Sequence, residues 1–319
     1  MHRHFDNRSS ALAPGRYLER LSKALPRKGW ARGGREQWPD GAKLVVAISL
    51  QFEAGVAPRP EVSSPFARDR YSDGALTKWW DYGSKEGIPR LLEIFQRRHV
   101  RTTSHMAGDA VEHNPALARE IVERGHEAAL RGRSWAADYA WNSEEVRRGC
   151  EADIQKIQKT TGERPVGFHA SGLRELPDTL EILQDLGFLY HVDDVSRDEP
   201  FLVTVRGKPF AVVPYTLALN DLVAYETRFF TSEQYASELR NEFEMLYSES
   251  ETHRRMMSIS LHDRVSGRPS HAKVLEEFII YAQRRPGVVF MRQDDIAQFA
   301  MVSSTTPREE EMKRGREAA

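Results

Sequence analysis

From Leu44 the chain reads Leu44-Val45-Val46-Ala47-Ile48-Ser49-Leu50, an almost unbroken apolar run whose length suits a strand buried on both faces. Shorter apolar runs recur near Val100–Ser104, Glu127–Leu130, Pro165–Phe168, Phe188–Val192, Phe210–Val213, Met257–Leu261 and Val288–Met291, the last expected to close the sheet. Helical patterns separate them, at Ile88–Arg98, Pro115–Arg124, Leu176–Leu186 and Ala272–Arg284. Asn142 and Glu145 form a capping box for a helix reaching about Lys159, Gly187 stops another, and Thr231 caps a long helix to about Ser248. Strands alternating with helices predict parallel βα units, and so an α/β fold.

The pattern also divides the chain. Residues 1–40 are polar and rich in Arg and Gly, with one helical candidate at Tyr17–Leu25, and read as an arm. Residues 41–302 form one domain, a length that α/β barrels accommodate. Residues 303–319, rich in Glu, Lys and Arg, are expected to be disordered. The 46 basic and 47 acidic residues nearly cancel to −1, so no global field draws the protein to nucleic acid or an anionic membrane, and a small-molecule substrate is expected. The single cysteine, Cys150, excludes an intrachain disulfide and a cysteine zinc site; with no leader-like apolar run, a cytoplasmic location is expected.

In a parallel barrel the chemistry gathers where strands end, so polar side chains just past each apolar run are the candidates. Gln51 and Glu53 share one side of the first strand. Glu53 could act as a general base or make a salt bridge at the barrel mouth, and Gln51 could hold an amide. His262 follows Met257–Leu261 and could carry a proton near neutral pH. His105 and His169 also follow strands and either line the mouth or pack. Glu53, His105 and His262 together are an alternative zinc set, since zinc accepts His and carboxylate. Arg131 and Arg174 could clamp a carboxylate or carbonyl oxygen, or pair with neighbouring acids. Trp135 could offer a flat face to a planar ring, whereas Trp79, Trp80 and Trp141 read as core, and Asp193 and Asp194 as loop-structuring acids.

The segment Gly125-His126-Glu127-Ala128-Ala129-Leu130-Arg131-Gly132-Arg133-Ser134-Trp135 resembles the second motif of the polysaccharide-deacetylase (NodB-like, carbohydrate esterase family 4) superfamily. There a strand of the form G-H-E-I-A-x-H-G is followed by a second His four positions after the first, and both hold a metal with an Asp from the first strand. Here the matching positions are Arg131 and Trp135, neither a normal ligand, and the first strand offers Gln51-Phe52-Glu53. Arg164 through Phe168, Val213-Pro214-Tyr215-Thr216-Leu217 with Asn220-Asp221, and Leu261-His262-Asp263-Arg264 resemble further landmarks, over residues 40–302. Together they are similar to the metal-independent allantoinase and cyclic-amide hydrolase branch.

That resemblance implies a single-domain distorted (β/α)7 barrel, no cofactor, and hydrolysis of a small cyclic amide, imide or ureide. Glu53 and His262 would be catalytic. Gln51, Arg131, Trp135, Arg174, His105, His169, Tyr215 and Arg264 would bind substrate. The family's habit of assembling implies a homodimer or homotetramer. Two rival readings stay open: a metal-dependent N-deacetylase of polysaccharide or peptidoglycan, and a binding protein that has lost the reaction, which Arg131 favours.

Overall fold

A computed structural model of the chain describes residues 38–56, 74–132, 142–173 and 176–310. The helix expected at Tyr17–Leu25 lies outside them. The strands are β1 (Leu44–Phe52), β2 (Thr103–Met106), β3 (Glu127–Arg131), β4 (Gly167–His169), β5 (Tyr190–His191), β6 (Phe201–Val205), β7 (Lys208–Val212), β8 (Arg255–His262), β9 (Val288–Phe290) and β10 (Arg308–Glu310). The helices are α1 (Gly74–Tyr82), α2 (Ile88–Arg97), α3 (Gly108–His113), α4 (Pro115–Glu123), α5 (Ser143–Thr161), α6 (Thr179–Asp185), α7 (Ser232–Glu249), α8 (Pro269–Gln283) and α9 (Gln293–Val302). The capping box expected at Asn142 forms, and Thr231 caps its helix as expected, in a box completed by Gln234.

One sheet runs in the order β10-β6-β7-β5-β4-β3-β2-β1-β8, with β9 also on β1. Every pairing is parallel except the β6–β7 hairpin. Its two turn residues, Arg206 and Gly207, have φ of 47° and 76°, the handedness that matches strand twist in a two-residue loop. The fold is the expected α/β single domain, but no ladder joins its two ends among the described residues. Instead the chain beyond β7 reaches β8: Ser258 N donates to Thr216 Oγ1 at 3.3 Å, and Asn220 forms a parallel bridge with Ser260.

β1 shows how the sequence builds the site. Leu44, Val46, Ile48, Leu50 and Phe52 join a core shared with the helices, including Leu91, Phe95, Ile121, Ile154 and Phe278. The alternate residues begin apolar, Val45 and Ala47 packing in a second cluster with Tyr190 and Tyr215, and continue as Ser49, Gln51 and Glu53, all buried. The same alternation in β8 places Ser258, Ser260 and His262 opposite Met257, Ile259 and Leu261. One face of each strand thus turns polar toward its carboxyl end.

Three expectations are corrected. Val288–Phe290 does not close the sheet but pairs with Leu44–Val46, the place beside β1 that β2 takes higher up. Of the tail expected to be disordered, residues 303–310 are described, and Arg308–Glu310 adds a parallel strand to β6. Trp38, assigned to the arm, is 3% exposed and its indole N–H donates to Arg255 O at 3.0 Å. Among the described residues no helix is long and apolar enough to cross a membrane.

Candidate active site

The parallel register sets the strand ends level: Gln51 lies opposite both His105 and His262, and Arg131 opposite His169. Glu53, one step beyond β1, is 3% exposed. Arg131 Nη1 donates to its Oε1 at 3.0 Å, and Arg264 Nη1 donates to its Oε2. Of the two roles open to Glu53, the barrel-mouth salt bridge is therefore the one the structure shows, and the pairing left open for Arg131 is with this acid. The Arg264 guanidinium lies 3.7 Å from the centroid of Trp80, so this tryptophan, read as core, also supports the cation.

His262 is 2% exposed and its Nδ1 lies 2.7 Å from Asp221 Oδ1. A carboxylate accepts, so this contact puts the proton on Nδ1 and turns Nε2 toward Glu53 Oε1, 4.0 Å away. Asp221 is itself immobilised: Oδ2 accepts from His262 N at 2.8 Å, Ser266 N at 3.1 Å and Ser266 Oγ at 2.6 Å. Its functional position was missed in the sequence, although it stands in the quoted Asn220-Asp221 landmark.

A second missed acid, Asp263, shapes the turn after β1. Its Oδ2 accepts the N–H groups of Glu53 at 3.0 Å and Ala54 at 2.7 Å, and Ala54 adopts a left-handed φ of 46°. Burial, with Glu53 close by, pushes its carboxyl up to about 7. A Cβ on Gly83 would sit 2.3 Å from Asp263 Oδ1, so only glycine lets the π-helix Gly83–Gly87 pass this close.

Deeper residues are committed to one another. The Gln51 amide N–H group meets His105 Nδ1 at 3.0 Å and Ser260 Oγ at 3.1 Å, while its Oε1 is buried with no hydrogen-bond partner among the described residues. Burial, with His169 and Arg131 nearby, holds the His105 imidazole well below its ordinary range and therefore neutral. His169 stacks on Tyr215 with centroids 5.4 Å apart, and its Nδ1 lies 2.7 Å from Asp193 Oδ1. Asp193 is thus part of this cluster and more than a loop acid. Tyr215 accepts from Asn220 Nδ2 at 2.5 Å. Trp135 and Arg174 lie outside the described residues.

A family model, polysaccharide deacetylase, matches residues 70–191. A solved structure described as a "probable Polysaccharide deacetylase" from Pseudomonas aeruginosa PAO1 is 31% identical, covering 87% of this chain and 99% of that one, with a TM-score of 0.75. The chain belongs to the polysaccharide deacetylase family. This deacetylase-family protein is a hydrolase of carbon–nitrogen bonds other than peptide bonds. It is also similar to the crystal structure of Puue Allantoinase, at 28% identity over 85% of this chain and 95% of that one, with a TM-score of 0.76. The peptidoglycan deacetylase of Helicobacter pylori is 28% identical over 141 residues, 44% of this chain and 48% of that protein.

Membership of the deacetylase family corrects the expectation of no cofactor, because carbohydrate esterase family 4 deacetylases are metal-dependent. The alternative zinc set of Glu53, His105 and His262 does not fit an ion as these side chains stand. Each Glu53 oxygen holds a guanidinium, so the one carboxylate of the set is already engaged by two cations that an ion would have to displace. Among the described residues no group of three or more His, Cys, Asp or Glu could hold a metal ion.

Proposed function

We propose that the protein hydrolyses a small cyclic amide, imide or ureide. One observation carries this reading: a carboxylate-backed imidazole, His262 on Asp221, stands beside two guanidiniums that share one buried carboxylate. The first pair moves a proton. The second presents N–H donors to a carbonyl oxygen that gains charge on attack. In this scheme His262 Nε2 takes a proton from water and returns it to the leaving nitrogen, while Asp221 stabilises the imidazolium between the two steps. Glu53, with both oxygens engaged, orients Arg131 and Arg264 and takes no proton itself. The similarity to an allantoinase supports the substrate class.

A planar ring needs few contacts to be held, and opening a strained amide demands less than cleaving an acetylated sugar. The second reading, N-deacetylation of polysaccharide or peptidoglycan, is favoured by what the relatives from Pseudomonas aeruginosa and Helicobacter pylori are called. Ring opening of allantoin and hydantoin, assayed beside acetate release from N-acetylglucosamine oligomers, separates the two. Turnover of the rings that is lost in His262→Ala supports the first reading; acetate release with inert rings overturns it.

A further inference from the structure

Arg264 joins two carboxylates. Its Nη1 donates to buried Glu53, and its Nη2 stands 3.7 Å from Oε2 of Glu226. Glu226 lies on the π-helix Val223–Thr227, just beyond the Asp221 that orients His262. Such π-turns frequently mark functional sites, because the extra residue turns a side chain off the regular helical face. Side-chain exposure rises from 2% at Glu53 to 20% at Glu226, so Glu226 stands at the outer edge of the same site.

The two oxygens of Glu226 differ. Oε2 faces Arg264, whereas Oε1 is buried and has no hydrogen-bond partner among the described residues. Burial pushes this carboxyl above the ordinary range, against the pull of Arg264 and His262. A buried acceptor without a donor is unfavourable, and a ligand that brings the donor relieves it.

We propose that Glu226 is a specificity-determining residue whose Oε1 accepts an N–H of the substrate, selecting amides whose nitrogen carries a hydrogen. The inference rests on the cyclic-amide reading and adds the recognition of the ring nitrogen to it. Cyclic amides, imides and ureides present N–H and C=O side by side on the edge of a planar ring, the complement of a carboxylate beside a guanidinium. Anchoring Arg264 accounts for Oε2 alone and leaves Oε1 unexplained.

Hydantoin and 1,3-dimethylhydantoin share their carbonyls, but only hydantoin has ring N–H groups. Titration calorimetry of both against the full chain, Glu226→Gln and Glu226→Met measures the discrimination without requiring turnover. The wild type is expected to bind hydantoin about tenfold more tightly, the worth of one charge-assisted hydrogen bond. Glu226→Gln, which keeps an acceptor, retains part of that ratio; Glu226→Met, which fills the volume without one, brings it to within about threefold. An undiminished ratio in a folded Glu226→Met that still binds hydantoin overturns the inference and leaves the cyclic-amide reading standing. If the wild type neither binds nor opens either ring yet releases acetate from N-acetylglucosamine oligomers, the cyclic-amide reading falls and takes the inference with it.

Discussion

At the carboxyl ends of the strands Glu53 is buried against two guanidiniums, whereas at the amino ends Glu127 is buried against three neutral donors. Thr103 Oγ1 donates to Glu127 at 2.6 Å, Tyr190 OH at 2.8 Å and the Asp294 N–H at 3.0 Å. This nest ties β2, β3 and β5 to the start of α9. Burial nevertheless raises the Glu127 carboxyl above its ordinary range, and burial with Glu127 alongside raises Asp294 well above it. The hydrogen bonds to Glu127 come from neutral donors, and Arg292, 2.9 Å from Asp294, offsets the burial of the two acids only in part, so the amino-end cluster shifts toward the protonated acid. The cations at the mouth balance Glu53 and remain close to His262 and Glu226, where they can also meet a substrate. The amino-end arrangement is a structural lock, and in the proposed reaction the cations at the mouth stabilise new negative charge.

The largest test of this contrast is kinetic. His262→Ala should lower kcat by about a thousandfold, the range of a lost general acid–base group, in steady-state ring opening. Glu127→Gln should leave kcat within about twofold, because nothing in the lock reaches the reacting atoms. Equal losses in both would erase the distinction. A thermodynamic test follows. Glu127→Ala strands the three donors and should cost about 3 kcal/mol in urea unfolding, with kcat per folded molecule kept.

A smaller effect concerns pH. The folded Glu127 value lies above the unfolded one, so between them the native state holds more protons and stability falls as pH rises. The destabilisation is absent below about 4.5, grows as pH rises through the raised folded value, and is then constant. Urea midpoints of the wild type should therefore drop relative to Glu127→Gln on going from acid toward neutral pH. A parallel pair of profiles would show that the lock balances its charge after all.

The sequence made the contrast only half legible. The run from Leu44 to Leu50 announced a buried strand, and Gln51 and Glu53 were visible as polar residues at its end, because a two-residue period is a local property. What Glu53 meets is not local: Arg131 and Arg264 arrive from 78 and 211 residues away. The supporting acids Asp221, Asp263 and Glu226 stand on segments without a strong periodicity, where nothing in the pattern tells a functional acid from a turn. Short elements were missed for a related reason. β6 is a five-residue run, Phe201–Val205, buried at every position but Thr204 and too short to carry a period, and β10 is a charged Arg308–Glu310 whose partner β6 lies about a hundred residues earlier. Gln51 was placed on the correct strand, but the engagement of its amide N–H group by His105 and Ser260 is fixed by register and was not legible.

Glu276 sharpens the comparison at the smallest scale, because it repeats the chemistry of Glu53 in a wetter place. Arg97 Nε donates to its Oε1 at 2.7 Å and Arg97 Nη2 to its Oε2 at 2.5 Å, while Arg98 Nε donates to Oε1 at 2.7 Å, joining α2 to α8. The bonds from Arg97 and then Arg98 hold its carboxyl down at about 2. A folded value below the unfolded one gives stability that is complete above about 4.5 and lost as pH falls through about 2. With Glu276 18% and Arg97 49% exposed, water and salt screen the pair, so Glu276→Gln should cost only about 1 kcal/mol at neutral pH. That difference should shrink in 1 M salt and vanish near pH 2. Arg131→Met, which leaves one buried partner of Glu53 missing, should cost about 3 kcal/mol with little salt dependence. Equal costs and equal salt dependence in the two variants would mean that burial does not set the strength of the cation clamp at the mouth.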